Sequence, residues 1–292
     1  MRKRVLITGI TGFLGSHLAK ALLAHDYEVF ALKRAASSLS RIESIINDIN
    51  LYDIDDIDSL FRKCGKIDTI IHTATCYGRN NEKVSDVFAA NIEFPLRLLE
   101  AGNHAGVETF LNADTTLNKY FNPYSLSKNQ FLELGKFFSM RKKMRFWNVK
   151  LQYIYGPNDD PSKFSAYVIN SCLENISELK LTKGEQKRDF IHIDDVISAY
   201  MCLLREADNL NNSFVEFEVG TGHSISIREF VETVHRLTNS RTLLTFGSLP
   251  YRDGEVMQSK ANTTALKALG WHCLNDFETA LNMTIEQERV NI

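Results

Sequence analysis

The sequence of 292 residues lacks long apolar runs and has no excess of charge of one sign. No apolar segment approaches the roughly 20 residues that cross a bilayer, and the basic start precedes only residues 5–7 before Thr8 and Gly9 interrupt. Lysine and arginine number 34 against 36 aspartates and glutamates, a net charge of −2 that excludes a polybasic nucleic-acid binder. We therefore expect a soluble, cytoplasmic protein without a signal peptide and without a nucleic-acid or membrane partner.

Cysteine, proline and glycine are also scarce, at 5, 5 and 15 residues. The cysteines are odd in number and scattered, which argues against a disulfide or zinc framework, and we expect no metal site. With 44% hydrophobic and 24% charged residues, the chain is able to bury a large core and is neither disordered nor fibrous. Its length predicts one large domain or two lobes, at about 150 residues per domain.

Short apolar runs rich in β-branched residues alternate with segments of helical periodicity through the first half. The predicted strands are 4–8, 28–32, 68–72, 108–112 and 146–151, and the predicted helices are 13–25, 56–64, 84–102 and 123–140. This alternation predicts the α/β class, with a Rossmann-type doubly wound parallel sheet covered by helices on both faces. Pro95 falls inside the long predicted helix, where we expect a kink or a local break.

The alternation loosens beyond Gly156 and Pro157, where the pattern predicts a strand at 216–219 and a helix at 226–237. We expect residues 1–155 to form a dinucleotide-binding domain and residues 156–292 to form mainly a smaller C-terminal substrate lobe. Segments near 189–222 should return to the first domain. A cleft between the two lobes is the expected ligand site.

The first predicted strand runs directly into a glycine-rich loop, T-G-I-T-G-F-L-G at residues 8–15, within which a helix begins. Glycine is needed where the chain turns sharply, where its backbone approaches a pyrophosphate and where the helix packs on the strand. The helix N-terminus then attracts the phosphate charge. Three glycines alone could form an ordinary loop, but this strand, loop and helix together are typical of dinucleotide binding. The predicted cofactor contacts are Gly9, Thr11, Gly12, Phe13, Leu14 and Gly15.

Two cations, Lys33 and Arg34, follow the second predicted strand. In NAD-specific folds an acidic residue at this point binds the adenosine ribose, whereas a basic residue accommodates the 2′-phosphate of NADP. We therefore predict a preference for NADP(H) over NAD(H); the alternative is a solvated charged pair. Asp53, after the third strand, is a further candidate for binding the adenine amino group.

Tyr124 and Lys128 lie four residues apart at the start of a predicted helix, so both side chains share one face. A tyrosine with a pKa of about 10 is a poor acid–base catalyst near neutrality, and a nearby ammonium should lower that pKa. The pair is then suited to protonating a carbonyl oxygen as hydride reaches its carbon. The alternative is an ordinary exposed helical pair. A hydroxyl after the preceding strand could donate to the same oxygen, with Thr115 preferred and Thr116 as the alternative.

Four features together resemble the extended short-chain dehydrogenase/reductase family that acts on nucleotide sugars. They are the glycine loop, the Tyr124 and Lys128 pair, Y-G-P at 155–157 and R-D-F-I-H-I-D-D at 188–195. The resemblance covers nearly the whole chain. Within the family the sequence is most similar to the CDP-abequose and CDP-paratose synthase branch, through segments 74–82, 180–190, 219–230 and 246–257. The resemblance implies NADPH-dependent reduction of the C4 keto group of a nucleotide-diphosphate deoxyhexose, foremost CDP-4-keto-3,6-dideoxyglucose. Such sugars serve O-antigen and lipopolysaccharide synthesis.

The resemblance also implies roles for individual residues. It makes Thr115, Tyr124 and Lys128 catalytic, with Asn91 supporting the lysine through water, and it assigns Ala74 and Tyr155 to the cofactor. It assigns Tyr77, Arg188 and Arg252 to the substrate, and the arginines suit a diphosphate because a planar guanidinium pairs with two oxygens at once. For either arginine the alternative is an ordinary salt bridge. The family further implies a homodimer formed by the helices that carry Asn91 and Tyr124.

Some residues depart from the family pattern. Thr115 replaces the commoner serine but keeps the hydroxyl. Asp114 precedes this threonine and no Asp-Glu pair follows it, which disfavours dehydration. Two alternatives to a reductase stay open: a nucleotide-sugar epimerase with tightly bound NAD(P), and a non-catalytic Rossmann protein that senses NADP.

Overall fold

The structure is a computed structural model that describes residues 2–141 and 144–290. Its strands are β1 (Arg4–Thr8), β2 (Glu28–Lys33), β3 (Ile49–Asp53), β4 (Thr69–His72), β5 (Thr109–Thr115), β6 (Arg145–Leu151), β7 (Tyr153–Tyr155), β8 (Glu178–Leu181), β9 (Lys187–Arg188), β10 (Phe190–His192), β11 (Phe214–Val219), β12 (Ile225–Ser226) and β13 (Leu243–Phe246). Its α-helices are α1 (Phe13–Ala24), α2 (Ile57–Cys64), α3 (Val84–Phe88), α4 (Phe94–His104), α5 (Pro123–Arg141), α6 (Phe164–Leu173), α7 (Ile193–Glu206), α8 (Ile227–Thr238), α9 (Thr264–Ala268) and α10 (Phe277–Arg289). Short 3₁₀ segments cover Ser40–Asp48 and Ile54–Asp56.

Seven strands form one parallel sheet in the order β11-β6-β5-β4-β1-β2-β3. The order reverses between β1 and β4, so the carboxyl ends of these strands flank the switch point where α/β sheets bind ligands. The predicted Rossmann-type class is therefore confirmed. Apart from β5, the ends predicted for individual elements lie within two residues of the observed ones.

Pro95 marks a break in the long helix, as its chemistry predicts. The π-helical turn Ala89–Glu93 separates α3 from α4, and Pro95 lies in the first turn of α4. Proline has no N–H to donate to the Asn91 carbonyl four residues earlier, so it interrupts the α-helical bonding at this point. The turn positions Asn91, whose side chain is buried.

Strand β5 runs to Thr115, three residues beyond the predicted end at Asn112. The prediction was too short because polar side chains interrupt the apolar pattern. Asn112 and Asp114 are nevertheless buried and each is hydrogen-bonded to Asn148 on β6. Asp114 and Thr115 are consequently strand residues with fixed backbones rather than loop residues.

The chain divides into two compact units. The first comprises Met1–Lys150 and Tyr200–Phe217, and the second comprises Leu151–Ala199 and Glu218–Ile292. In the second, helices α6, α8 and α10 pack around a core that includes Phe230, Val231 and Ile285. Three small two-stranded sheets, β10-β7, β12-β9 and β13-β8, complete it. Within residues 2–141 and 144–290 no helix is both long and apolar enough to cross a membrane.

Candidate active site

The glycine loop forms a tight cradle between β1 and α1. Gly9 has φ +73°, and a Cβ there would lie 2.6 Å from the Ala74 nitrogen and 2.8 Å from its Cα. A Cβ on Gly15 would lie 2.2 Å from the Gly9 carbonyl oxygen. Both positions therefore require glycine. Gly12 donates its N–H to Gly9 O at 2.9 Å and is the N-cap of α1, whose first turn carries no acidic residue. A helix N-terminus without acidic neighbours fits the pyrophosphate of a dinucleotide.

The sequence-predicted cations lie at the end of β2. Lys33 is its last residue and pairs in register with Asp53 of β3, while Arg34 is exposed. The Asp53 side chain accepts the Asp55 N–H at 3.2 Å, so it also caps the following 3₁₀ turn. A third cation, Arg41, was not predicted from the sequence; its guanidinium carbon lies 5.8 Å from the centroid of the Phe13 ring.

Phe13 explains how that third cation is held. Phe13 belongs to the predicted cofactor contacts, together with Thr11 and Leu14, and its ring also contacts His17 at 4.9 Å. Arg41 therefore lies against the phosphate loop from a 3₁₀ segment that follows the predicted cations. No local sequence pattern predicts this contact, because Arg41 comes close to the loop only once the chain is folded.

Tyr124 and Thr115 come together at the carboxyl end of β5. The Thr115 hydroxyl lies near enough to the Tyr124 phenol to lower its pKa, which favours Thr115 over Thr116 as the paired hydroxyl. The Tyr77 ring lies 4.9 Å from the Tyr124 ring, and the Arg79 guanidinium lies 4.8 Å from the Tyr77 ring centroid. The predicted substrate residue Tyr77 is thus a direct neighbour of the predicted proton donor.

The expectation of a lowered phenol pKa at Tyr124 is wrong for this structure. Burial is the largest cause and raises the pKa of Tyr124 well above 10, and Tyr77 and Asp114 raise it further. The Thr115 hydroxyl and the charge of Arg79 oppose the rise in the Tyr124 pKa. The spacing of Tyr124 and Lys128 identifies an ammonium that would lower the phenol pKa. It does not reveal the burial, which raises that pKa by more.

Lys128 is buried one helical turn after Tyr124, with 2% of its surface exposed. Burial lowers the pKa of this ammonium, and the charge of Asp114 opposes the change. The pair is therefore not the exposed helical pair of the alternative interpretation. A buried lysine one helical turn from a half-buried tyrosine is an arrangement typical of acid–base sites.

The Asn91 side chain joins the loop after β4 to helix α5. Its Oδ1 accepts from the Cys76 N–H at 2.8 Å and from the Thr75 hydroxyl at 3.0 Å. Its Nδ2 donates to Cys76 O at 2.8 Å and to the Ser127 hydroxyl at 2.9 Å. All four positions of the amide are used, so a water-mediated link to Lys128 has to use the Asn91 backbone carbonyl. Pro95 has no N–H with which to occupy that carbonyl in an α-helical bond.

Arg188 and Arg252 lie in the second unit and share one neighbour. The buried Arg188 forms an ion pair with Glu255, and the Glu255 N–H donates to the Arg252 carbonyl at 3.1 Å. Arg252 itself is exposed. Glu255 therefore contacts Arg188 through its side chain and Arg252 through its backbone. The sequence analysis did not single out Glu255, because the contact joins residues 67 apart.

Tyr155 and Asp189 have structural environments in the second unit. Tyr155 is buried, its ring 5.5 Å from His192 and 6.2 Å from Phe230, and burial raises the pKa of its phenol. Asp189 accepts bonds from the Thr221 hydroxyl and N–H and from the backbone N–H groups of Gly222 and Ala261, at 2.7 to 3.0 Å. The R-D-F motif thus combines a candidate binding arginine with a structural carboxylate.

Comparisons with known proteins agree with this geometry. Residues 5–220 match the model of the NAD dependent epimerase/dehydratase family. CDP-abequose synthase of Salmonella muenchen is 36% identical over 278 residues, which cover 93% of each chain. CDP-abequose synthase of Salmonella typhimurium is 31% identical, over 98% of this chain and 99% of that protein.

A solved structure has the same fold at lower identity. The UDP-glucose 4-epimerase of Thermus thermophilus, in complex with NAD, is 22% identical, with a TM-score of 0.83 over 99% of this chain and 100% of that one. Because the family match spans most of the chain and the relatives align over nearly their full length, the chain belongs to the NAD dependent epimerase/dehydratase family.

Proposed function

We propose that this chain is an NADPH-dependent reductase of the C4 keto group of a nucleotide-diphosphate 4-keto-deoxyhexose. The expected substrate is CDP-4-keto-3,6-dideoxyglucose and the product is CDP-abequose or CDP-paratose, for deoxysugar-containing O-antigen polysaccharides. The observation that carries the proposal is the cluster of Thr115, Tyr124 and Lys128 in the unit that holds the glycine cradle. The CDP-abequose synthase relatives support the choice of sugar nucleotide.

The residues of the cluster divide the work of protonation. When bound, the reduced nicotinamide supplies a hydride to C4. Thr115 hydrogen-bonds the carbonyl oxygen, and Tyr124 gives that oxygen its proton. The raised pKa keeps the phenol protonated near neutrality, which suits a proton donor. The Lys128 ammonium then stabilises the phenolate that remains.

The residues proposed to bind cofactor and substrate lie in different parts of the chain. The glycine cradle would hold the pyrophosphate of the cofactor, and Lys33 and Arg34 with Arg41 would favour the 2′-phosphate of NADPH. Arg188 and Arg252 of the second unit would hold the substrate diphosphate, Arg188 after exchanging Glu255 for phosphate oxygens. We assign residues 1–155 mainly to the cofactor and 156–292 mainly to the sugar nucleotide, in a cytoplasmic homodimer.

The test is turnover with a panel of CDP-, dTDP-, UDP- and GDP-4-keto sugars, each with NADPH and with NADH. We expect nicotinamide oxidation with the CDP sugar, at higher kcat/KM with NADPH, and a product whose C4 configuration is read by NMR. Tyr124→Phe should bind NADPH normally and lose roughly 100-fold or more in kcat, about the contribution of a general acid. Tyr120→Phe, on a tyrosine that is 76% exposed, is the matched control.

Two outcomes would contradict the proposal. Equal or better kcat/KM with NADH would remove the cofactor preference, and retained turnover in Tyr124→Phe would remove the assigned proton donor. Stoichiometric NAD(H) released from denatured protein that shows no net reduction would favour the epimerase.

A further inference from the structure

One buried carboxylate of the first unit has no part in the proton transfer described above. Asp114, the next-to-last residue of β5, is 5% exposed and precedes Thr115. We propose that Asp114 is a positioning residue that keeps both Tyr124 and Lys128 protonated and thereby adapts the site to reduction, a role that rests on the proposed function. An epimerase, by contrast, must begin by oxidising its substrate and needs this tyrosine as a base.

Hydrogen bonds from two adjacent strands fix the Asp114 carboxylate. Its Oδ1 accepts the Thr115 N–H at 2.8 Å, and its Oδ2 accepts from Asn148 Nδ2 at 2.7 Å. Asn148 in turn accepts from Asn112 Nδ2 at 2.7 Å, and both asparagines are 0% exposed. The carboxylate therefore cannot turn away to solvent. It also fixes the backbone of the threonine whose hydroxyl contacts Tyr124.

The alternation of side chains along β5 directs the Asp114 carboxylate toward α5. Alternate strand residues share a face, so Asp114 projects on the same side as Phe110. The Phe110 ring contacts Phe131 of α5, with 6.0 Å between centroids, and Lys128 lies one turn before Phe131. Because Tyr124 meets the end of β5 and Phe131 meets its middle, the first turns of α5 lie over the end of the strand. Asp114 thus lies beneath the two acid–base residues.

The charge of Asp114 favours the protonated form of both Tyr124 and Lys128. It raises the pKa of the Tyr124 phenol, and it opposes the lowering that burial imposes on the Lys128 pKa. Asp114 therefore favours the protonated form of both groups. Reduction starts from this state, since the phenol must donate a proton, whereas oxidation starts from the phenolate.

Other groups face the cluster from four further elements. They are Tyr77 and Arg79 of the loop after β4, His72 of β4, Tyr200 of α7, and Glu216 of β11, which is paired with Lys150. Arg79 is a cation and opposes Asp114 at Tyr124. Neutralising Asp114 and neutralising Arg79 should therefore move the Tyr124 titration in opposite directions. A loss of packing alone would not move the Tyr124 titration in opposite directions in the two variants.

The first measurement needs no substrate. Tyrosine labelled with ¹³C at Cζ is titrated by NMR in the full chain, and the Tyr124 signal is assigned by its absence in Tyr124→Phe. In Asp114→Asn we expect this signal to begin to move about one pH unit lower than in the parent, the size typical of one nearby charge. In Arg79→Gln it should begin to move at higher pH, and added salt should reduce this effect because Arg79 is exposed.

The second measurement is the pH profile of kcat/KM for reduction with NADPH. Its alkaline decline should begin at lower pH in Asp114→Asn and at higher pH in Arg79→Gln, because that decline reports the essential acid of the free enzyme. Phe110→Leu, which loosens the packing between β5 and α5 and leaves the Asp114 carboxylate with its hydrogen bonds, is the control. If Asp114→Asn does not fold, Asp114→Ser removes the charge in a smaller side chain.

The two measurements separate the two proposals. Absence of reductase turnover in the parent would refute the proposed function, while the NMR titration would still decide the role of Asp114. Normal turnover with an unchanged Tyr124 titration in Asp114→Asn would refute the role of Asp114 alone. A shift of the same size in Phe110→Leu would also refute it, because packing would then be the cause.

Discussion

His72 is a fully buried imidazole at the end of β4, and it illustrates how single residues constrain the first unit. Its Nδ1 lies 2.7 Å from the Thr8 hydroxyl. Its Nε2 has no hydrogen-bond partner within residues 2–141 and 144–290. Aromatic rings lie around it at about 6 Å: Phe94, Phe110 and Phe131. Burial, with the charge of Lys128, lowers the pKa of this imidazole well below 6.5.

We predict that His72 makes the protein less stable as the pH falls below about 6.5. In that range the unfolded chain binds a proton that the folded chain does not, so the free energy of unfolding falls by about 1.4 kcal/mol per pH unit until the folded pKa is reached. His72→Asn should remove this part of the pH dependence. Urea unfolding between pH 5 and pH 7 measures it, with the exposed His25→Asn as the control. An unchanged slope in His72→Asn would contradict the prediction.

At the scale of single residues, the sequence predicted which residues form the site more accurately than it predicted their pKa values. The spacing of Tyr124 and Lys128 identified a pair whose lysine is buried and whose tyrosine is half-buried, yet it gave the wrong direction for the tyrosine pKa. Desolvation depends on side chains distant in sequence, including Tyr77, which spacing does not reveal. Arg41 and Glu255 were missed for the same reason.

At the scale of elements, helix α5 approaches strand β6 through a glycine. A Cβ on Gly135 would lie 2.2 to 2.4 Å from carbons of the Phe146 ring, which is itself stacked on Phe110 with 5.5 Å between centroids. No rotation of a ring packed on both sides relieves such a contact. The small residue therefore sets the distance at which the helix carrying Tyr124 lies on the sheet.

We predict that Gly135→Ala destabilises the protein by about 1–3 kcal/mol, the usual range for overpacking a core, despite the better helix propensity of alanine. Gly102→Ala in α4 is the matched control. Its Cβ would lie 2.7 Å from the end of the flexible Ile70 side chain and at ordinary contact distance from Val107, so we expect a much smaller effect. Equal unfolding free energies for the two variants in urea would contradict this account.

The elements predicted from sequence are those whose signal is local. Strand β1 was predicted at its observed ends because a buried parallel strand is a nearly continuous apolar run. The end of β5 was missed because Asn112 and Asp114 look like loop residues until Asn148 is placed beside them. Strand β8 has no such signal, since its partner β13 lies about 60 residues later. The pairing, not the local pattern, defines it.

At the scale of the whole molecule, the chain passes between its two units three times. Residues 200–217 return to the first unit and supply its edge strand β11. They are held there by bonds from Arg145 to the carbonyls of Ala207 and Leu210 and from the Trp147 indole to Asn212 O at 3.3 Å. The first 150 residues therefore lack part of their own sheet.

We predict that a fragment of residues 1–150 is less stable than the same unit in the full chain. Trp147, which is 0% exposed in the full chain, should emit at longer wavelength in the fragment because its face toward β11 becomes solvated. The full chain carrying Trp271→Phe, in which Trp147 is the remaining tryptophan, is the reference. An identical emission maximum and an equally cooperative urea transition in the fragment would contradict the prediction.

The four donors around Asp189 have a consequence for the growing chain on the ribosome. Two segments supply them, at residues 221–222 and at 261. Synthesis of the roughly 40 residues between them takes about 2 to 8 s at the usual speed of translation. Throughout that interval a carboxylate destined for the interior has only three of its four donors, and the set is completed when the last quarter of the second unit emerges.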